Sequence, residues 1–147
     1  MLWILTGILC LAIDQLSKIY IANNFTIGQT APIINRVFHI TYHRNSGAAF
    51  SLFSGMTVFL TIVTALIICG LLAYVFIKKP KSSLALMSFT LIISGALGNL
   101  IDRIFRGSVV DFLDFRLINF PIFNIADCFV VVGGVLLFVY VLKYVED

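Results

Sequence analysis

From Met56 to Ile77 the chain runs without a single charged side chain, and as a helix that stretch is long enough to cross a hydrocarbon layer about 30 Å thick. Such a helix has no polar face to turn toward water, so lipid is its natural solvent. Three further segments are long and apolar enough to do the same. Leu84 to Ile101 is uncharged and is closed by Asp102 and Arg103. Phe123 to Leu142 is interrupted only by Asp127, one turn inside its start, and Met1 to Ile21 carries Asp14 and Lys18 in its last two turns. The expected fold is an all-α membrane protein with spans at about 1–21, 56–77, 84–101 and 123–142. A chain that is 61% hydrophobic and 12% charged exceeds what a water-soluble core can hide. No Ser-, Pro- or Gly-rich linker divides residues 1–147, so one domain is expected. The apolar start lacks a basic leader, and Asp14, Gln15 and Lys18 stand where a cleavage site would lie, which reads as an uncleaved first helix.

The connections are unequal. Ala22–Gly55 is long, Lys78–Ser83 is a tight turn, and Phe105–Ile122 is of medium length. Within the long one, the β-branched and aromatic residues of Pro32–His43 predict short strands forming a small sheet on the membrane surface. No internal repeat is visible, unlike the repeated halves of many transporters. The net charge of +3 is scattered, which gives nucleic-acid binding no support. Cys10, Cys69 and Cys128 sit singly in apolar runs, so neither a disulfide framework nor a zinc ribbon is expected.

Helices joined this way alternate in direction, which brings the end of the first, the start of the second, the end of the third and the start of the fourth to one face. Asp14, Lys18, Arg36–Arg44, Asn45–Ser51, Asn99–Arg103, Asp111, Asp114, Arg116, Asn124 and Asp127 all map there. The other face receives the Lys78–Lys81 turn, the tail from Lys143 and the amino terminus. A plain positive-inside count puts six basic residues on the polar face and four on the other, which would make the polar face cytoplasmic. Five of the seven acids accompany those six, however, and the lysine turn is dense and unpaired. Pattern alone therefore leans only slightly toward termini inside.

An ionisable group inside a span costs about 2.5 to 3.5 kcal/mol on insertion scales and needs a partner or a role. Asp14 and Lys18, four residues apart on one helix face, can pair with each other. Asp102 has Arg103 beside it and Arg106 four residues on, which reads as a salt bridge. Asp111 and Asp127 have no basic residue at helical spacing. Two carboxylates brought together in a dry pocket cannot both ionise cheaply and come to share a proton, an arrangement that activates water and protonates a leaving group. A helix cap or a distant arginine is the competing explanation for either one, and Asp114 rivals Asp111 on spacing. His39 and His43 are expected on one sheet face about 13 Å apart, too far for one metal, in surface roles. The serines lack a nucleophile pattern, and Gly95, Gly98, Gly133 and Gly134 suit close helix approach. A transporter would need polar groups continuing across the membrane. Cys128–Leu142 is apolar throughout, and the second helix offers only Thr57, Thr61 and Thr64. A purely structural subunit, with its aspartates paired to Arg44, Arg103 and Arg116, is the remaining alternative.

Five blocks of the sequence resemble the lipoprotein, or type II, signal peptidases. Asp14-Gln-Leu-Ser-Lys18, Arg44-Asn-Ser-Gly-Ala-Ala-Phe-Ser51, Ser94-Gly-Ala-Leu-Gly-Asn-Leu-Ile-Asp-Arg103, Gly107-Ser-Val-Val-Asp-Phe112 and Phe120-Pro-Ile-Phe-Asn-Ile-Ala-Asp127 occur in that family's order and cover essentially the whole chain. The resemblance implies a bacterial inner-membrane aspartic endopeptidase with both termini cytoplasmic, a small extracytoplasmic β-platform and the active site at the outer face. It implies Asp111 and Asp127 as the catalytic pair, and Asp14, Lys18, Asn45, Gly47, Asn99, Arg103, Asn124 and Ala126 as pocket residues. The implied substrate is a prolipoprotein, cut just before its diacylglyceryl-modified cysteine, with acyl chains reaching the site laterally from the membrane lipid. No metal or organic cofactor is implied. Oligomeric state is open, with a monomer assumed.

Overall fold

In the computed structural model of the protein, residues 2–47 and 55–144 are described. Four helices, α1 (Leu2–Asn24), α2 (Thr57–Lys78), α3 (Ser83–Arg106) and α4 (Ile125–Tyr144), are each long and apolar enough to cross a membrane. Three strands, β1 (Thr30–Ile34), β2 (Phe38–Asn45) and β3 (Val109–Phe115), make one antiparallel sheet in that order. The expected spans thus stand, with α3 running five residues further than its uncharged stretch. Asp102, Arg103 and Arg106 belong to that helix because their charges are met inside the fold.

Local chemistry sets the helix ends. Lys79 closes α2 in the left-handed conformation, its N–H bonded to the Val75 carbonyl at 3.0 Å, and Pro80 follows, a residue that cannot continue the helix. Ser82 caps α3 by accepting from the Ala85 N–H, and Gly107, at φ 70°, ends it where a side chain would be strained. The α3 helix is central and packs against α1, α2 and α4. Close approach to α4 depends on absent side chains. A Cβ at Gly133 would lie 2.8 Å from Ile92 Cγ1 and 2.9 Å from the Ser88 carbonyl oxygen. Gly95 and Gly98 are as tightly enclosed, whereas Gly134 meets nothing within 4 Å, so the expected close approach holds at three of the four. Only Leu60 and Ile68 of α2 are buried, and most of its other apolar side chains are exposed, as lipid contact requires.

The third strand was not expected. Val109–Phe115 lies in the stretch that reads as a medium connection, because Asp111 and Asp114 disguise a run that is buried on both faces at its start. Val110 and Phe112 join Ile21 of α1 and Tyr42 of β2 in the core that fixes the sheet to the helix ends, with Phe25 and Ile125 packed against it. Burial of such side chains contributes about 1.5–3 kcal/mol each. From Phe115 the chain turns back to α4 through a 3-10 turn at Arg116–Ile118. Phe123 exchanges backbone bonds with Leu113 at 2.8 and 3.1 Å on that return. The pairing of β2 with β3 slips between Ile40 and His43, so Thr41 and Tyr42 are buried in succession and alternation is broken. The two histidines consequently part: His39 is buried and His43 exposed, against the expectation of a shared surface face.

Candidate active site

The first turn of α4 supplies the frame of the site. Asn124 caps the helix, its Oδ1 accepting the Asp127 N–H at 3.0 Å, while Asp127 Oδ2 accepts the Asn124 N–H at 3.1 Å. This reciprocal box holds Asp127 at the helix start, where the helix dipole favours a carboxylate. The next free amide, that of the wholly buried Ala126, is met from α1 by Asp14 Oδ1 at 2.9 Å. Asp14 also holds Lys18, at 3.0 Å, and accepts from Gln15, whose amide bonds the Gly98 carbonyl at 3.1 Å as well. A side chain at Gly98 would strike the Asp14 carboxylate.

Lys18 is fully buried and reaches three acceptors: Asp14 at 3.0 Å, Asp102 Oδ2 at 3.3 Å and Asn99 Oδ1 at 2.9 Å. Asp102 binds Arg106 too and accepts the Val110 N–H at 3.0 Å, which ties α3 to β3. The anticipated pairs of Asp14 with Lys18 and Asp102 with Arg106 are both present. The Lys18–Asp102 pair, which joins α1 to α3, has no signal in local spacing.

Three asparagines then point their amino groups at the two aspartates, and in each the orientation is forced. The ammonium of Lys18 has only protons to give, so Asn99 turns its oxygen there and donates to Asp127 Oδ1 at 2.7 Å. The Asp127 N–H claims the oxygen of Asn124, which donates to Asp111 Oδ1 at 2.6 Å and to Asn99 Oδ1 at 3.1 Å. The Gly47 N–H claims the oxygen of Asn45 at 2.8 Å, leaving its amino group for Asp111 Oδ2 at 3.0 Å. Asp111 is 2% exposed. Burial, reinforced by the negative charge of Asp127, pushes its carboxyl up to about 7 despite the bonds from Asn45 and Asn124. Arg103 donates to the Gly47 carbonyl at 3.2 Å, and its Nε is buried with no partner among the described residues. Its charge faces both Asp127 and Asp111.

The expected pocket residues Asp14, Lys18, Asn45, Gly47, Asn99, Arg103, Asn124 and Ala126 are thus brought together around Asp111 and Asp127. Residues 48–51 of the block beginning at Arg44 lie outside the described residues. Arg44 ties β2 to the end of α3, through Ser108 Oγ at 2.9 Å and the Arg106 carbonyl at 2.7 Å. Asp114 lies elsewhere, bonded to Thr41 at 2.6 Å and Arg116 at 2.8 Å. Burial alone would raise its carboxyl, but those two bonds hold it below the usual range, so it is not a rival to Asp111. Both aspartates open on a cavity of about 750 Å³ with Asn45, Asn99 and Arg103 at its polar end and Phe120–Phe123 and Val130–Val132 along an apolar wall. His43 and Cys128 also line it; His43, expected only as a surface residue, pairs in register with Asp111.

The arrangement has a charge balance of its own. Asp14, Asp102, Asp111 and Asp127 face Lys18, Arg103 and Arg106, and one proton on the Asp111–Asp127 pair makes the cluster neutral. That proton is what water activation by paired carboxylates requires.

Residues 6–143 match the family model described as signal peptidase (SPase) II. The chain is similar to the lipoprotein signal peptidase of Clostridioides difficile (strain 630), at 49% identity over 145 residues, covering 98% of this chain and 97% of that protein. It is also similar to the lipoprotein signal peptidase of Bacillus subtilis (strain 168), at 40% identity over 144 residues with 97% and 94% covered. Among solved structures, a bacterial membrane enzyme determined by the in meso method at 2.3 Å resolution aligns with a TM-score of 0.91 and 36% identity, over 96% of this chain and 87% of that one. With four apolar helices, a three-stranded platform and two aspartates, one buried and one half-buried, facing a common cavity, the chain belongs to the signal peptidase II family of bacterial membrane proteases.

Proposed function

We propose that this protease, acting as one domain over residues 1–147, removes the signal peptide from prolipoproteins just before the diacylglyceryl-modified cysteine, with Asp111 and Asp127 as its catalytic pair. The observation that carries the reading is the convergence of three orientation-locked asparagine amides on two aspartates, Asp111 buried and Asp127 half-buried, at the polar end of one cavity. One aspartate, ionised, takes a proton from water as the oxygen attacks the scissile carbonyl. The other, protonated, donates a hydrogen bond to that carbonyl oxygen. Collapse of the tetrahedral intermediate breaks the C–N bond, and the leaving amine receives a proton from the pair. The shared proton belongs to the pair and not to either residue alone.

Surrounding groups have distinct tasks in this scheme. Asn99 and Asn124 hold the carboxylates in register, and Arg103 places a positive charge beside the negative charge of the intermediate. The wall of Phe120–Phe123 and Val130–Val132 suits acyl chains arriving from the bilayer. The platform and site lie on the outer face of the bacterial cytoplasmic membrane, and both termini are cytoplasmic. The Lys78, Lys79 and Lys81 turn at the far end of the helices supports that orientation, because basic connections are retained inside.

A synthetic prolipoprotein offered with and without the diacylglyceryl group on its cysteine tests the reading. Mass spectrometry of the products is expected to show a single cut immediately before the lipidated cysteine. Equal cleavage of both forms, or a cut elsewhere, would remove the proposed specificity.

A further inference from the structure

A second cavity of about 750 Å³ opens at the far tip of the platform, lined by Asn35, Arg36, His39 and Arg116. It is built from two segments that are sewn together. The Val37 carbonyl accepts the Arg116 N–H at 2.9 Å, which sets the β1–β2 turn against the 3-10 turn after β3. Arg36 occupies that β1–β2 turn at φ 64°. The Arg116 guanidinium is fixed by three acceptors: Nε bonds Asp114 at 2.8 Å, and Nη2 bonds Thr30 at 2.8 Å and Thr41 at 3.3 Å. Its Nη1 edge and the whole of Arg36 have no hydrogen-bond partner among the described residues. His39 forms a buried wall. Its Nδ1 meets Thr30 Oγ1 at 3.3 Å, while Nε2 is buried with no partner among the described residues. With Nδ1 accepting from the Thr30 hydroxyl, Nε2 carries the ring proton and presents a third unanswered donor.

Two guanidinium groups, only one of them neutralised by a carboxylate, fit a phosphate better than any neutral ligand. The surroundings say which phosphate. Ile33 and Ile34 lead into Asn35 and Arg36, and Leu117 and Ile118 follow Arg116; all four are 56–69% exposed and lie outside every spanning helix. Four large apolar side chains beside a basic pocket match the level in a bilayer where phosphates give way to acyl chains. A free phosphate ion would have no use for them. We infer that the platform tip is a binding site for the headgroup phosphate of an anionic phospholipid, with Arg36 and Arg116 on the phosphate and the four aliphatic side chains in the adjoining acyl region.

Native mass spectrometry of the purified full chain in detergent tests this, with phosphatidylglycerol, phosphatidylcholine and inorganic phosphate as separate probes. The wild type is expected to retain one phosphatidylglycerol in preference to phosphatidylcholine. Arg36 is exposed and makes no bond that folding needs, so Arg36→Gln should fold and weaken retention about fivefold, the worth of one basic residue near a lipid surface. The double variant Leu117→Ser with Ile118→Ser should weaken lipid retention while leaving inorganic phosphate binding unchanged. Equal retention by wild type and Arg36→Gln overturns the site. Displacement of the lipid by inorganic phosphate, with the serine variant behaving as wild type, overturns the lipid and points to the free ion. Peptide cleavage in detergent by Arg36→Gln is expected to be unchanged, so failure here leaves the protease reading untouched.

Discussion

Replacing Asp111 by asparagine should change the pH dependence of stability in a way that reveals the carboxyl's environment. In the folded chain this group holds its proton up to about 7, against 3.8 for a free aspartate. The folded state therefore binds the proton more tightly than the unfolded state. Its contribution is least unfavourable below about pH 4, declines as pH rises from 4 to 7, and is flat above. At about 1.4 kcal/mol per pH unit of displacement, the ionised Asp111 costs the fold on the order of 4 kcal/mol at pH 8. Asparagine removes that cost but brings a third amino group up to those of Asn45 and Asn124, which leaves one donor without an acceptor at about 1–3 kcal/mol. Asp111→Asn should thus be more stable than wild type by about 1–3 kcal/mol at pH 8 and less stable by a similar amount at pH 4. Reversible unfolding in detergent, followed at both pH values, checks the crossing. A variant destabilised equally at both would refute a raised Asp111.

Three other substitutions probe the same network. In Asp127→Asn the like charge that helps raise Asp111 is gone, so the infrared band of the protonated Asp111 carboxyl should titrate below about 7; an unmoved midpoint would uncouple the two. Lys18→Met leaves Asp14 without its ammonium partner in a fully buried place and should cost about 3–5 kcal/mol, with part of the loss recovered when Asp14→Asn is added. Recovery of nothing would mean that Lys18 acts through packing alone. Gly98→Ala drives a methyl into the Asp14 carboxylate and should destabilise by about 1–3 kcal/mol. Gly134→Ala, with open space around it, should be neutral or slightly stabilising, and the two are compared by thermal unfolding.

What could be read from the chain in advance follows the range of the forces involved. Uncharged runs such as Met56–Ile77 announce helices, because lipid tolerates little else. Asp14 with Lys18 and Asp102 with Arg106 were legible because helical spacing makes them neighbours. The Lys18–Asp102 bond and the convergence of Asn45, Asn99 and Asn124 depend on four elements meeting, which no local spacing encodes; the family motifs were the signal there. The third strand stayed hidden because Asp111 and Asp114 interrupt its hydrophobic pattern, although the Val-Val and Phe-Leu pairs around them were a usable sign. The divergence of His39 and His43 rests on a slip in pairing that only the partner strand determines.

The central claim is that Asp111 and Asp127 act as one proton-sharing pair, and peptide release from a lipidated substrate by each single asparagine variant tests it most directly. Each should unfold cooperatively and each should lose turnover by about a thousandfold, the scale of a removed acid or base. A folded Asp111→Asn or Asp127→Asn that cleaves within about tenfold of wild type would contradict the pair, since no general acid or base of that worth would have been removed.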